Sequence, residues 1–568
     1  ASMGALAWSA FAAGGSGVTR MARGWRASLA RRRGRWLAIA AIVPIVMGTL
    51  LSRVALEGVP HFSDSLTYQM QGRMLYKGML HMPKPVHPEL FIGSLFFVTD
   101  QQKIGETPNT FSYDGTRFFG KYPIGWPAVL GLFDAAGVGF MVNAVLVGLG
   151  ALLTAGLARQ VTSKRNAMLA AVLYAMSPWV WFNGAHFASH VASMLAVNGF
   201  LWMFLLARAS MRDGCTFGAT AKRALGAGLF LGAAVLVRPF DAAMFALPAV
   251  VYSAAMLLKQ PKQWLTIGTI IGLGAMLGVG IYAYTNYACT GDPMVSPYKL
   301  EGRWKADWDT SPVSLVGRFL FQWNEVNGRF TGFGVGAMTV ALMGLIVAVR
   351  RGRWKRPRQG PAMLLLLAAN ALFFSTATLF LFTNVWWGPR WLMPMTPIVA
   401  ILAAEAVSTV LKAVGQGPRA KGQGIGSNPQ SAIRNRQSHL PAPAAGLGFA
   451  ILLAGLCVGL AGEYVGKWYQ HRLAPPHNVS AGAHNRAMTM GLSNAVVAVT
   501  TEGGNRPPLD PRAGMVFMKA PLEDNPVIYV RRIDGWAAKA AASYPGRQLY
   551  ELIADKDADG GFVIREVK

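Results

Sequence analysis

The sequence predicts an all-α polytopic membrane protein of about eleven transmembrane helices, with a small extracytoplasmic α/β domain at its C-terminal end. Three observations predict it. The 568 residues are 53 % hydrophobic and only 14 % charged, where a soluble protein carries about a quarter charged residues. Apolar runs approaching the roughly 20 residues that span a bilayer recur along the chain. The segments between them alternate in charge, and Lys and Arg gather on the cytoplasmic side of membrane proteins. The net charge of +28 is therefore assigned to cytoplasmic loops and not to nucleic acid.

Residues 1–35 form a basic cytoplasmic segment ending in RRRGR. The run at 36–52 lacks a small-residue cleavage site and reads as a retained first helix. Further membrane helices are expected at 139–158, 167–184, 188–208, 222–237, 240–258, 264–285, 333–349, 362–383, 392–411 and 444–463. With the N-terminus inside, RQVTSKRN, RASMRDGCTFGATAKR, KQPKQ, RRGRWKRPRQ and the 412–443 linker all fall inside, and all are basic. The apolar piece at 126–136 is too short to span and reads as an interfacial helix.

The outer regions are the loops 53–138 and 286–332 and the tail 464–568. The second loop carries Trp304, Trp308 and Trp323. In the tail, NAVVAV and NPVIYVRRI are short β-branched runs that read as strands, GWAAKAAASY reads as a helix and GGFVIREV closes the domain. The linker 412–443 is polar and rich in Gly and Pro, a composition expected to be disordered. Cys215, Cys289 and Cys457 are scattered and odd in number, so no disulfide framework is expected.

Few ionisable residues fall within the expected spans, Glu405 and the interfacial Arg238 and Asp241 being exceptions. Such charges mark ion and proton paths, so their scarcity weighs against a coupled pump. Polar chemistry concentrates on the outer side, as in an enzyme acting on a lipid-linked substrate. The alternatives are a transporter or flippase of lipid-linked sugars, and an assembly subunit whose tail binds partners.

Four stretches carry a resemblance. FSDSLTYQMQGRMLYKG places an acid near the start of the first outer loop, followed by a Tyr and a Gly that closes a helix. GKYPIGWPAVLGLF ends that loop, AVLVRPFDAAMFALPA sets an Arg before an apolar helix with a Pro, and GPRWLMPMTPIVA opens a late helix. In order and in shared outer side they resemble the GT-C glycosyltransferase superfamily, in its branch with the protein mannosyltransferases and aminoarabinose lipid A transferases. The resemblance covers 36–411, the expected catalytic module.

The resemblance implies transfer of a sugar from a polyprenyl-phosphate donor to an acceptor outside the cytoplasmic membrane, with inversion. The acceptor is open between protein, glycan and lipid. Such a reaction needs a carboxylate to take the acceptor's proton, cations for the departing phosphate and an apolar groove for the isoprenoid. Asp64 is the expected base, close to the bilayer surface after helix one; the same residue also suits a helix N-cap. Ser65 follows it where some family members have Glu, which speaks against a paired-acid or metal site; no metal ligand is assigned, and a requirement for a divalent metal is open.

Lys121, Arg238 and Arg390 fall at outer boundaries and are expected to hold the donor phosphate; boundary cations also snorkel to headgroups. Asp241 sits three residues after Arg238 and can pair with it on a helix face. Tyr68, Tyr122 and Trp126 are expected to contact the sugar, against an ordinary role as interfacial aromatics. His186 and His190 at i, i+4 are expected to share one helix face and line the cavity; metal binding is disfavoured because the Glu of an HExxH site is absent. Asp292 reads as a turn residue, Glu89, Asp100, Glu106 and Asp114 as solvated loop charges, and the sequon at Asn478 as a chance match.

Overall fold

The computed structural model describes residues 33–61, 63–91, 117–297, 317, 366–372, 390–414, 481–500, 512–555 and 562–567. The expected helices at 333–349 and 444–463, most of 362–383, nearly all of the 412–443 linker, and Asp100, Glu106, Asp114, Trp304, Trp308, Trp323, Cys457 and Asn478 lie outside the described residues.

Helices α1 (Arg33–Ala55) and α2 (Ser63–Tyr76) open the described chain. The two-residue strands β1 (Met82–Pro83) and β2 (Arg117–Phe118) pair antiparallel. Helix α3 (Gly125–Ala135) has 11 residues, about 16 Å at 1.5 Å per residue, too short to span. Then follow α4 (Val142–Val161), α5 (Lys164–Ala175), α6 (Pro178–Ala185), α7 (His190–Arg212), α8 (Phe217–Val237), α9 (Pro239–Leu257) and α10 (Pro261–Thr290). A 3₁₀ turn, Arg390–Met395, leads into α11 (Thr396–Val414).

Seven of these helical stretches are long and apolar enough to cross a membrane: Gly34–Ala55, Gly139–Val161, His190–Arg212, Phe217–Val237, Pro239–Leu257, Pro261–Thr290 and Arg390–Ser408. Their apolar side chains are spent outward as well as inward. On α10, Leu265, Leu273, Met276 and Leu277 are all exposed, an arrangement that suits a lipid solvent. The chain is a multi-pass membrane protein.

One expected span is corrected. The run 167–184 is not a single helix but α5 and α6, separated at Met176–Ser177. Pro178 supplies the cause: it has no N–H to continue the ladder, and its ring drives the preceding residue out of helical geometry.

Contacts divide the chain into two compact units. In the first, α5 packs along α11. There the buried Glu405 accepts hydrogen bonds from Thr162 Oγ1 and from Asn166 Nδ2, the latter at 2.6 Å.

The second unit contains α2, α3, α7 to α10 and the C-terminal domain. Its helices touch through small residues. A Cβ on Gly72 would lie 2.7–2.9 Å from backbone atoms of Pro127 and Gly131, so α2 and α3 cross backbone to backbone. Gly228 of α8 meets α10 in the same manner.

The C-terminal domain begins with α12 (Gly482–Thr489) and continues through β3 (Ala495–Val499), β4 (Val527–Arg531), α13 (Trp536–Ser543), β5 (Gln548–Ala554) and β6 (Phe562–Glu566). The strand order is β4-β3-β5-β6, with β3 parallel to both neighbours and β6 antiparallel. All five residues of β3 are buried, the unbroken apolar run expected of a central parallel strand.

This sheet shares one hydrophobic core with the segment that follows α1. Leu66, Met70 and Met74, on one face of α2 at i, i+4 and i+8, join Leu90, Phe91 and Phe118 against Val496, Val527, Met515 and Tyr544. Polar contacts fix the docking. Arg73 Nη1 donates to the carbonyls of Val516 at 2.7 Å and Met518 at 2.6 Å. The Ala481 N–H donates to Glu57 at 2.8 Å, and Lys539 pairs with Glu89 at 3.4 Å.

Candidate functional site

The expected site residues of the second unit gather at one end of its helices. Asn143, at the start of α4, donates to the carbonyls of His186 at 2.5 Å and Ala188 at 2.8 Å, just before α7. Arg117 Nη1 donates to Ala288 O at 2.8 Å, at the end of α10. A Cβ on Gly125 would lie 2.7 Å from the backbone of Leu236, which brings the start of α3 against the end of α8. Alternate helix ends thus meet on one side, as an up-and-down bundle requires.

Asp64 stands in the first turn of α2, half-buried. Amide N–H groups without intrahelical partners point out of that turn and favour a carboxylate. Tyr68 lies one turn on, on the same face. Its hydroxyl shares a hydrogen bond of 3.0 Å with Ser189 Oγ, which also accepts from Arg238 Nη1 at 3.4 Å.

Arg238 is the junction between α8 and α9. Its backbone is extended, at φ −153° and ψ 92°, and Pro239 restarts the helix. Its Nε reaches Asp241 Oδ2 at 3.0 Å, and Ser193 Oγ donates to the same oxygen at 2.5 Å. The side chains are 13 % and 2 % exposed. This guanidinium is therefore held by a buried carboxylate.

Lys121 is buried, its Nζ 5.1 Å from the Tyr122 ring centroid. Tyr122 and Tyr68 stand 4.3 Å apart, tilted by 46°. The strip that carries Lys121 is gripped by Gln71, whose Nε2 donates to Gly120 O at 3.3 Å and Tyr122 O at 3.0 Å. Gly120 is required there: a Cβ would lie 2.4 Å from the Gln71 side chain. Trp126 lies fully buried with Tyr68, Tyr122 and Phe187, its indole N–H donating to Phe187 O at 2.8 Å.

The histidines need a correction. His186 and His190 do not share a helix face, because α6 ends at Ala185 and α7 starts at His190. Both are buried, and His186 meets the Phe182 ring edge-on at 4.3 Å. Their carbonyl neighbourhood is held by Asn143, which sequence reasoning missed, as it missed Ser189. Asp292 closes a turn, accepting from the Met294 N–H at 2.8 Å. Arg390 belongs to the first unit, its guanidinium 5.2 Å over the Trp391 ring. Among the described residues, no three His, Cys, Asp or Glu side chains cluster as metal ligands would.

The arrangement offers a carboxylate at a helix N-terminus, a hydroxyl relay and a fixed arginine, with a buried lysine on the adjoining strip. That set can handle a proton and an anion at the end of an apolar helix bundle.

No protein-family model matches the sequence, and no curated protein matches it. Among solved structures it is similar to ArnT from Cupriavidus metallidurans in the apo state, at 14 % identity and TM-score 0.52 over 96 % of this chain and 98 % of that one. The same ArnT bound to undecaprenyl phosphate gives 14 % identity and TM-score 0.50 over 94 % and 97 %. The archaeal oligosaccharyltransferase AglB from Archaeoglobus fulgidus, in complex with an inhibitory peptide and a dolichol-phosphate, gives 16 % identity and TM-score 0.47 over 82 % of this chain; the chain spans 58 % of AglB's length. The fold is similar to that of ArnT over nearly the whole length of both chains.

Proposed function

We propose that this chain is an integral-membrane glycosyltransferase that moves a sugar from a polyprenyl-phosphate donor to an acceptor nucleophile on the extracytoplasmic side, with inversion at the anomeric carbon. The observation that carries the reading is the chain of contacts from the Asp64 helix through Tyr68 and Ser189 to Arg238, at one end of the apolar bundle. The shared fold with an ArnT whose structure holds undecaprenyl phosphate supports the donor class.

In this reading Asp64 takes the acceptor's proton as the nucleophile attacks. The anomeric carbon–oxygen bond breaks, and its electron pair leaves on the phosphate. Arg238 and Lys121 bind that phosphate and stabilise its growing charge. Asp241 and Ser193 preset the guanidinium plane, so little reorganisation is needed at the moment of transfer. Tyr68, Tyr122, His186 and His190 line the sugar's side, and Trp126 supports them from beneath. In this reading the protein sits in the cell membrane with its N-terminus in the cytoplasm and its C-terminal domain outside, which the basic loops support.

The test is transfer of radiolabelled sugar from undecaprenyl- and decaprenyl-phosphate donors in proteoliposomes, with the product anomer assigned by NMR. Transfer with inversion is expected. Movement of the intact lipid-linked sugar across the bilayer without transfer would replace the reading with a flippase.

A further inference from the structure

Asp64 is carried by a helix that cannot set its own position. An isolated helix of 14 residues is marginal in water. What holds α2 is shared between α3, which it crosses at Gly72, and the C-terminal domain. The apolar face of α2, Leu66, Met70 and Met74, is buried in the hydrophobic cluster that also takes in Met82, Leu90, Phe91, Phe118 and the C-terminal sheet. Arg73, about 14 Å along the axis from Asp64 at 1.5 Å per residue, divides its donors between two bodies. Nε binds Asp134 of α3 at 2.7 Å, and Nη1 binds the carbonyls of Val516 and Met518. Gln69 donates to the other Asp134 oxygen at 2.7 Å. Ahead of α2, the carboxylate of Glu57 accepts the Ala481 N–H at the entry to α12.

We infer that the C-terminal domain sets the position of the Asp64 helix for transfer, and that Arg73 is the positioning residue through which it acts. The inference rests on the reading of Asp64 as the base. Only a guanidinium fits this place. Its planar fork reaches a carboxylate on one side and backbone carbonyls on the other, whereas a lysine ammonium is a point charge on a flexible stem. The domain is thus part of the catalytic frame, and its contact is made with backbone atoms 443 and 445 residues away.

The test uses the full chain in proteoliposomes and counts competent enzyme by the stoichiometry of undecaprenyl phosphate binding. Arg73→Gln is expected to lower kcat per binding site on the order of 100-fold, the cost of a misplacement near 1 Å. Donor KM and binding stoichiometry stay unchanged. Arg73→Lys is expected to fall between Arg73→Gln and wild type. Asp134→Asn, which leaves the two carbonyl contacts in place, is expected to lose less than Arg73→Gln. A merely structural role would lower the number of binding sites and leave kcat per site as in wild type; that result overturns the inference, as does equal transfer by Arg73→Gln and wild type. If wild type transfers no sugar, the glycosyltransferase reading itself fails.

Discussion

Two arginine–aspartate pairs in the second unit look alike on paper and are built differently. Arg73–Asp134 spans 2.7 Å with both side chains near one-fifth exposed, at 21 % and 18 %. Arg238–Asp241 spans 3.0 Å at 13 % and 2 % exposure. The first ends on backbone carbonyls of another domain, so its Nη1 donors hold the C-terminal domain to α2. The second ends on a serine hydroxyl that leads to Tyr68. The difference teaches that burial alone does not separate a clamp from a site. The third partner does: carbonyls anchor a guanidinium to another domain, whereas a serine hydroxyl links it to a tyrosine beside Asp64's helix turn.

The largest effect expected from breaking this comparison lies at the site itself. Asp64→Asn keeps the size of the side chain and removes the base, so initial-rate transfer should fall by about 10²–10⁴-fold. Arg238→Ala comes next, because it strands Asp241. Breaking one partner of a buried pair costs about 3–5 kcal/mol, so thermal unfolding should register it together with lost transfer. Arg73→Gln should do less to stability, since its pair is more exposed, while changing turnover.

Tyr68→Phe removes one hydrogen bond, worth about 1 kcal/mol net, and should lower transfer roughly fivefold with binding of undecaprenyl phosphate retained. The smallest effect is on the docked C-terminal domain as pH falls. His484 stacks on Phe517 at 4.1 Å and 7°, and burial lowers its pKa below the usual 6.5. Its contribution is complete above pH 6.5 and is lost as pH falls from there toward the lowered value. Burial raises the Glu89 carboxyl, but its own backbone N–H, His87 and Lys539 outweigh that and hold it below the usual 4.5. Its contribution is present above pH 4.5 and is lost as pH falls through the lowered value. Differential scanning calorimetry between pH 7 and 4 should show Tm declining, with the upper part of the decline absent in His484→Phe.

Hydropathy was enough to read the seven long apolar helices that the structure describes and the short helix α3, and β-branched runs were enough for β3 and β4, because those features are local. The break before Pro178 was written in the chain as Ser-Pro, a signal that an apolar window of 18 residues averages away. The i, i+4 spacing placed His186 and His190 on one helix face, where the structure has the end of one helix and the start of another. Arg238 with Asp241 was legible as an i, i+3 pair. Ser189 was not, since a lone serine carries no signal until the fold brings it to Tyr68 across 121 residues. Arg73 is the same case at greater distance: its spacing from Asp64 could be read in the sequence, but its partners could not.

The most direct test of the account compares wild type with Asp64→Asn in proteoliposomes, following radiolabelled sugar from undecaprenyl-phosphate donors with thermal stability and undecaprenyl phosphate binding matched. Transfer by wild type and its near-complete loss in Asp64→Asn is the predicted result. Equal transfer by both proteins would contradict the account, leaving a transferase whose base is not at the head of α2.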